Sequence, residues 1–292
     1  MPSALYRDFT TVEELDAQYD IEASVPDFGM YVEQFIARSA AARATLEARL
    51  DLPNGPTLAE TVDVFPGAGP APAAGRPAVL FVHGGYWKVT TSKEWSYVAT
   101  GLVERGVTVV VENYALCPGV TVREIVRQHR AAFALLYRDA EALGVDRSRL
   151  VVAGHSAGGH AVACLADTDW AGDYGLPAAP IAGVLGVSGL YDLRPLPRTS
   201  FVGPHLGLDA GEAVALSPQL HLPAALPPTV LAYGTAETAE FARQTVDFAT
   251  ALQAQGFDVE VTALPRNHFD ILDDLADPDG PLARAVVALA GD

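Results

Sequence analysis

Cysteine, basic residues and long apolar runs are all scarce in this sequence. Its only two cysteines, Cys117 and Cys164, form neither a CxxC pair nor a Cys/His ligand spacing. That argues against a disulfide scaffold and a zinc site, and it is typical of a reducing compartment. No apolar run reaches the roughly 18 residues of a membrane span, and the first ten residues lack the basic and apolar regions of a signal peptide. We therefore expect a cytoplasmic protein with no resident metal.

The charge balance excludes further classes of partner. Nineteen basic residues face 36 acidic ones, a net charge of −17, and only Lys88 and Lys93 are lysine. An acidic surface repels phosphate backbones, and no basic cluster offers a footprint on anionic lipid, so we expect neither nucleic-acid nor membrane binding. Half of the 292 residues are hydrophobic, which is the composition of a globular protein with a large core.

The chain divides into an N-terminal region and a strongly patterned core. The Pro-, Gly- and Ala-rich stretch 66–76 predicts a surface loop between them. Residues 30–49 have apolar side chains at helical spacing, and 59–65 could form a strand. We treat 1–60 as an N-terminal helical region within a single domain covering 1–292.

From Pro77 onward, short apolar runs alternate with helical segments. Strands are predicted at 78–83, 107–114, 149–156, 181–189, 229–234 and 258–264. Helices are predicted at 92–105, 120–143, 157–167, 239–255 and 280–290. Continuous apolar strands separated by helices indicate an α/β fold, in which a mainly parallel central sheet carries helices on both faces.

The segment 190–222 interrupts this alternation. It is rich in Pro, Gly and Leu and has only short helical stretches. A long irregular insertion in a compact α/β fold is usually a lid or a binding loop, so we predict a lid-like insertion here. The alternative is a surface excursion without function.

The strongest local motif is the GxSxG at 154–158. About 0.1 matches are expected by chance from this composition, and this one follows an apolar strand and opens a small-residue helix. That arrangement is a nucleophile elbow, which exposes Ser156 at a helix N-terminus. The alternative is an ordinary Gly-rich turn between a strand and a helix.

A serine nucleophile needs a base and an orienting acid, here expected in the chain order Ser, acid, His. His268 directly follows the strand at 258–264 and is the predicted base. Glu237 lies in the loop after the strand at 229–234 and is the predicted acid. Glu240 is the alternative, because it should already stand on the next helix, where a carboxylate favours the helix dipole in any case.

The motif HGGYW at 83–87 closes the first core strand. Adjacent glycines let the backbone approach a substrate carbonyl, so the N–H groups of Gly84 and Gly85, with that of Ala157, are the predicted oxyanion hole. Tyr86, Trp87 and His155 are placed in the substrate pocket. No GxGxxG follows the strand, which argues against dinucleotide binding.

Together these motifs resemble a known family. HGGYW, GHSAGGH and EFxRQ ahead of NHFDIL are similar to the kynurenine formamidases (arylformamidases), in the hormone-sensitive-lipase-like branch of the α/β-hydrolases. The resemblance covers about 63–275 and implies hydrolysis of N-formyl-L-kynurenine without a cofactor. It implies that Ser156, Glu237 and His268 are nucleophile, acid and base. The chain departs from the pattern in having Glu where Asp is frequent, Ala239 where Pro is expected, and an expanded 200–206.

Three functional hypotheses follow. The leading one is a metal-free serine hydrolase acting on a small aryl formamide, with N-formyl-L-kynurenine as the small-molecule substrate. The second is a carboxylesterase or biosynthetic amidase acting on short-acyl or aryl esters and amides. The third is a catalytically silent ligand-binding protein, although such proteins usually lose a triad member. Arg194 and Arg198 are candidates for binding a substrate carboxylate, or are solvated surface residues, and a homodimer is an open alternative to a monomer.

Overall fold

The computed structural model describes residues 4–291, which contain one eight-stranded sheet. The strands are β1 (Arg49–Pro53), β2 (Thr61–Phe65), β3 (Arg76–Val82), β4 (Thr108–Asn113), β5 (Val145–His155), β6 (Gly183–Val187), β7 (Thr229–Gly234) and β8 (Val259–Leu264). Their order is β1-β2-β4-β3-β5-β6-β7-β8, with β2 antiparallel to both neighbours and every pair from β4 to β8 parallel. The carboxyl ends of the six parallel strands therefore share one edge, where ligands bind in such sheets.

Helices cover both faces of this sheet. They are α1 (Val12–Tyr19), α2 (Phe28–Thr45), α3 (Ala99–Glu104), α4 (Val122–Arg138), α5 (Ala157–Ala166), α6 (Trp170–Tyr174), α7 (Gly203–Leu206), α8 (Ala210–Ala215), α9 (Ala239–Ala254), α10 (Asp273–Ala276) and α11 (Pro281–Leu289). Alternate residues of β3 enter two separate cores. Leu80 packs with α4 and α5, whereas Val79 and Phe81 pack with α3, α10 and α11. The predicted α/β architecture with helices on both faces is confirmed.

Helix α4 illustrates how local sequence specifies these elements. The Thr121 hydroxyl accepts a hydrogen bond from the Glu124 N–H and caps the first turn. Val122, Ile125 and Phe133 recur at helical spacing and are fully buried. The spacing of apolar residues thus decides which face of the helix meets the sheet.

The N-terminal region 1–60, predicted to be helical with a helix at 30–49, contains α1 and α2 and also a strand that was not predicted. Helix α2 ends at Thr45 instead of 49, because Arg49–Pro53 forms the antiparallel edge strand β1. Four of the five residues of β1 are exposed, so the strand carries no apolar run that a sequence pattern could detect. Helix α1 was also not predicted. Within residues 4–291, no helix combines the length and apolar character needed to cross a bilayer.

Candidate active site

Ser156 stands on a strained turn between β5 and α5. Its backbone angles are φ 58° and ψ −115°, outside the regions that non-glycine residues ordinarily occupy, at a cost of about 1–3 kcal/mol. The glycines of the motif permit this turn. A Cβ on Gly154 would lie 2.0 Å from the Gly158 carbonyl oxygen, and one on Gly158 would lie 1.9 Å from that of Val82. The surrounding packing therefore holds the serine at the carboxyl end of the sheet.

His268 lies beside this turn in the loop after β8 and is bound to an acid. Its Nδ1 is 2.9 Å from Glu237 Oε2, and both side chains are almost completely buried. Among the described residues neither His268 Nε2 nor Ser156 Oγ has a hydrogen-bond partner, and both residues line the same cavity. Nucleophile–base contacts are often long without substrate and tighten in the Michaelis complex.

Glu237 is held from its other side by a residue that sequence reasoning missed. Its Oε1 accepts a hydrogen bond of 2.6 Å from the Ser188 hydroxyl and one of 2.7 Å from the Gly234 N–H. Ser188 directly follows β6 and is buried with a left-handed φ of 50°. Its position after a strand adjacent to β7 could have pointed to it, because neighbouring strand ends meet.

Glu240, the alternative acid, belongs to another network. Its carboxylate accepts hydrogen bonds from Arg243 Nε, Arg243 Nη2 and the Tyr19 hydroxyl at 2.6–2.8 Å. The neighbouring Gln244 accepts from the Tyr191 and Asp192 N–H groups and donates to the Asp192 carbonyl. The EFxRQ motif therefore links α1 and the segment after β6 to α9. Of the two candidate carboxylates, the one in contact with His268 is that of Glu237.

The glycines of the HGGYW motif lie against the serine. A Cβ on Gly84 would be 3.0 Å from Ser156 Cβ, which leaves room only for glycine without displacement. Within residues 4–291, the N–H groups of Gly84, Gly85 and Ala157 have no hydrogen-bond acceptor. The Gly84 carbonyl, in contrast, accepts hydrogen bonds from His83 Nδ1 and Thr90 Oγ1, which fixes the peptide plane.

The loop after these glycines sends its two aromatic residues in different directions. Both have left-handed backbones, with φ 49° at Tyr86 and 55° at Trp87. Tyr86 lines the cavity and donates its hydroxyl to the Tyr19 carbonyl at 2.6 Å. Trp87 is fully buried, packs edge-on against His160 and is not part of the cavity wall, contrary to its predicted place in the pocket. The left-handed backbone at both residues explains why these adjacent side chains point in different directions.

Ser156 and His268 line a concave cavity on the described part of the chain. Its walls are mainly apolar and aromatic: Ile21, Phe28, Val32, Phe35, Tyr86, Val89, Trp95, Phe201 and Phe269. Four of these side chains come from 21–35, whereas the insertion 190–222 contributes only Phe201. The segment 21–35 therefore lines more of this cavity than the insertion 190–222, which was predicted to be lid-like.

His155 lines the cavity and lies against the ring of His268. Its ring centroid lies 4.6 Å from that of His268 and 5.9 Å from that of Trp95. Burial, with a smaller contribution from the charge of His268, lowers the pKa of His155 well below its ordinary value. A neutral imidazole at this place adds a polar but uncharged wall.

The two arginines predicted as carboxylate ligands lie elsewhere. Arg194 forms a two-point ion pair with Asp192, and Arg198 is exposed; neither lines the cavity. Among residues 4–291, Lys88 is the one lysine or arginine that lines the cavity. It lies two residues after Tyr86. Its proximity to the HGGYW motif was the available signal. Within the same residues there is no group of three or more His, Cys, Asp or Glu side chains arranged to hold a metal ion.

Comparisons with known proteins agree with this geometry. The BD-FAE family model matches residues 68–252, more than half of the chain. Kynurenine formamidase of Salmo salar is 31% identical over 259 residues, covering 86% of this chain and 84% of its own, and that of Danio rerio is 28% identical over 291 residues, covering 96% of each. A crystal structure from Silicibacter sp. TM1040 with a provisional thioesterase name is 31% identical, with a TM-score of 0.81 over 94% of this chain and 99% of its own. The chain therefore belongs to the BD-FAE family and is a serine hydrolase of the kynurenine-formamidase-like branch of the α/β-hydrolases.

Proposed function

We propose that this protein hydrolyses aryl formamides in this cavity. Its proposed substrate is N-formyl-L-kynurenine, which it converts to L-kynurenine and formate. The observation that carries the proposal is the bond between His268 Nδ1 and Glu237, made beside a cavity that both His268 and Ser156 line. The substrate rests on relatives that are named kynurenine formamidases.

In the first step, the Ser156 hydroxyl oxygen attacks the formyl carbon while His268 Nε2 takes its proton. A hydroxyl is a weak nucleophile at neutral pH and depends on this base. Glu237 accepts a hydrogen bond from the Nδ1–H group of His268. This bond keeps the lone pair on Nε2, and the carboxylate stabilises the imidazolium that forms. Ser188 and the Gly234 N–H hold Glu237 in place.

The negative charge that develops on the carbonyl oxygen needs donors. The N–H groups of Gly84, Gly85 and Ala157 are the proposed oxyanion hole. Each such donor is worth about 3 kcal/mol in the transition state. Gly84 can serve because the absence of a side chain lets its backbone lie against Ser156.

The tetrahedral intermediate then collapses. The C–N bond breaks, and His268 Nε2 returns its proton to the departing aryl nitrogen, which leaves as the free aniline of kynurenine. The formyl group remains as an ester on Ser156. A water molecule, deprotonated by the same His268 Nε2, attacks this ester and releases formate and the serine hydroxyl.

The walls of the cavity suit an aryl substrate. Phe28 and Phe269 have ring centroids 5.0 Å apart, and Phe35 and Trp95 lie 5.1 Å apart. Aromatic walls bind a flat ring through offset and edge contacts. Tyr86 fills space beside the oxyanion loop, which favours formyl, the smallest acyl group.

A short-acyl ester is the second candidate substrate. The same nucleophile, base and oxyanion donors act on an ester carbonyl, and the neighbour from Silicibacter sp. TM1040 carries a provisional thioesterase name. The discriminating experiment measures kcat/KM for N-formyl-L-kynurenine and for p-nitrophenyl acetate side by side, with Ser156→Ala as the control. We expect a clear preference for the formamide that the substitution abolishes. Good ester turnover with negligible formamide turnover would refute the formamide.

We also propose a cellular compartment, a domain organisation and an oligomeric state for the enzyme. We place it in the cytoplasm on the basis of Cys117 and Cys164, both free thiols, and of the sequence-level prediction. We treat 1–292 as one domain because a single sheet runs from β1 to β8. The homodimer stays a prediction, which analytical ultracentrifugation would decide.

A further inference from the structure

Lys88 places an ammonium group in the wall of the cavity. Its Nζ donates to the Phe201 carbonyl at 3.2 Å and lies 5.8 Å from the centre of the Phe201 ring. The residue is half-buried, and among residues 4–291 no carboxylate forms an ion pair with it. An ammonium has three donors, so this contact fixes its position and leaves donors for an anion.

Three carboxylates line the same cavity: Asp20, Glu22 and Glu94. The Glu94 carboxylate already has hydrogen-bond partners, because its Oε2 accepts hydrogen bonds from the Thr91 N–H and hydroxyl in a capping box. Asp20 Oδ1 accepts the Ala23 N–H, its one hydrogen bond from residues 4–291, and Glu22 is exposed. After burial, the charges of Asp20 and Glu22 contribute to a pKa of Tyr86 well above its ordinary value, so both carboxylates act on the cavity beside that ring.

The cavity therefore holds a cation and two carboxylates that do not neutralise one another, since no ion pair joins Lys88 to either acid. Lys88 and Asp20 are partly buried, and charges in such a site favour a ligand that supplies the opposite charges. The α-carbon of an amino acid carries an ammonium and a carboxylate side by side. A neutral ester or a simple aryl amide would leave both sets of charges unused.

We propose that Lys88 binds the α-carboxylate, and Asp20 with Glu22 the α-ammonium, of the amino-acid end of the substrate. This inference rests on the proposed function and names the groups that select an amino-acid formamide over other aryl formamides.

Lys88 and Asp20 are both linked to the loop that carries Gly85. The Lys88 and Val89 N–H groups bond the Gly85 carbonyl at 3.0 and 3.1 Å, so the lysine follows that loop directly. The Tyr86 hydroxyl bonds the carbonyl of Tyr19, the residue before Asp20. Binding the charged end of a substrate would therefore set the position of its formyl group relative to Gly85.

The test compares four formamides that share the 2-formamidophenyl ketone. They are N-formyl-L-kynurenine; its decarboxylated amine, N-formylkynuramine; the deaminated acid, 4-(2-formamidophenyl)-4-oxobutanoate; and 2′-formamidoacetophenone, which lacks both groups. The variants are Lys88→Met, the double variant Asp20→Asn with Glu22→Gln, and Arg123→Met. Arg123 is an exposed arginine on α4 outside the cavity and controls for the loss of one positive charge.

We expect Lys88→Met to lower kcat/KM about tenfold, mainly through KM, for the two compounds with a carboxylate, and to leave the other two within twofold. The double acid variant should show a fall of similar size for the two compounds with an ammonium. Arg123→Met should match the wild type on all four. Melting temperatures and circular dichroism confirm that each variant is folded.

Two outcomes would overturn the inference, and they are distinguishable. If the wild type hydrolyses N-formyl-L-kynurenine but Lys88→Met changes all four compounds equally, or none, the charged groups do not read the amino-acid end and the proposed function stands. If the wild type hydrolyses 2′-formamidoacetophenone or p-nitrophenyl acetate but not N-formyl-L-kynurenine, the proposed function fails and the inference fails with it.

Discussion

His268 Nδ1 lies 2.9 Å from Glu237 Oε2, and the two side chains are 2% and 1% exposed. The carboxylate also accepts the Ser188 hydroxyl and the Gly234 N–H. A buried carboxylate with three donors is fixed in direction, and it fixes the imidazole in turn. Three separate segments of the chain, those after β6, β7 and β8, thus converge to orient the imidazole of His268.

Replacing the acid tests this arrangement. Glu237→Gln leaves the volume almost unchanged but can present an amide N–H₂ to Nδ1, which favours the wrong tautomer of His268. We expect kcat to fall about 10³-fold with little change in KM. Steady-state kinetics with the preferred substrate measures it.

Glu240→Gln is the matched control for that substitution. Glu240 binds Arg243 and Tyr19, so its loss should lower the melting temperature while kcat stays within a few-fold of the wild type. A larger kcat loss in Glu240→Gln than in Glu237→Gln would reverse the assignment of the acid.

Ser188 acts on the reaction through Glu237. Ser188→Ala removes the 2.6 Å hydrogen bond to Oε1 but leaves the one from Gly234. We expect kcat to fall about tenfold at constant KM, because a hydrogen bond to a charged group is worth about 1.5–3 kcal/mol and only part of it is lost. Ser148→Ala, at an exposed serine near the start of β5, should have no effect. A Ser188→Ala variant that changes KM alone would contradict the positioning role.

His160 predicts how stability depends on pH. It is fully buried in α5, with Nε2 2.8 Å from the Leu216 carbonyl. Burial lowers the pKa of His160 to about 4, against a partial opposing effect of that hydrogen bond. The folded pKa lies below the unfolded one, so this stability is complete above about pH 6.5 and is lost as pH falls towards 4.

The measurement compares the wild type with His160→Gln by urea unfolding at pH 7 and pH 5. Between these values the wild type should lose about 2 kcal/mol more free energy of unfolding than the variant, whose side chain does not titrate. Equal losses would show that His160 does not stay neutral in the folded state.

Substitutions in the segment 21–35, which lines the cavity, should affect substrate binding more than the chemical steps. Phe28 lines the cavity from α2, with its ring 5.0 Å from that of Phe269. We expect Phe28→Ala to raise KM for the aryl formamide about tenfold with kcat nearly unchanged, because contacts with the aryl ring are lost in ground and transition state alike. Met30→Ala, two residues further along α2 and exposed, is the control. An unchanged KM in Phe28→Ala would remove α2 from the substrate site.

The chemistry was predictable from the sequence because it depends on short spacings. The elbow at Ser156 needs small residues two positions away on each side, because a Cβ on Gly154 or Gly158 would clash with a backbone carbonyl oxygen. The places of Glu237 and His268 follow from the order of strand ends in a parallel sheet, which the apolar runs at β7 and β8 already indicated.

What covers the site was not predictable in the same way. The apolar residues of α2 indicate a buried helix face but not the surface that it covers. Ile21 lies in an irregular segment with no pattern at all. The separation of Tyr86 from Trp87 depends on two left-handed residues, which aromatic side chains rarely adopt. Such features are set by tertiary packing, and local sequence does not contain them.

The most direct test of the central claim is covalent labelling with a fluorophosphonate, followed by peptide mass mapping. The proposal has His268 and Glu237 activate one particular hydroxyl. It therefore predicts a single adduct on Ser156 of the wild type, formed far more slowly in Glu237→Gln. Ser188→Ala should still be labelled at Ser156, and Ser156→Ala should not be labelled. An adduct on another serine, or equal labelling of Ser156→Ala, would contradict the account.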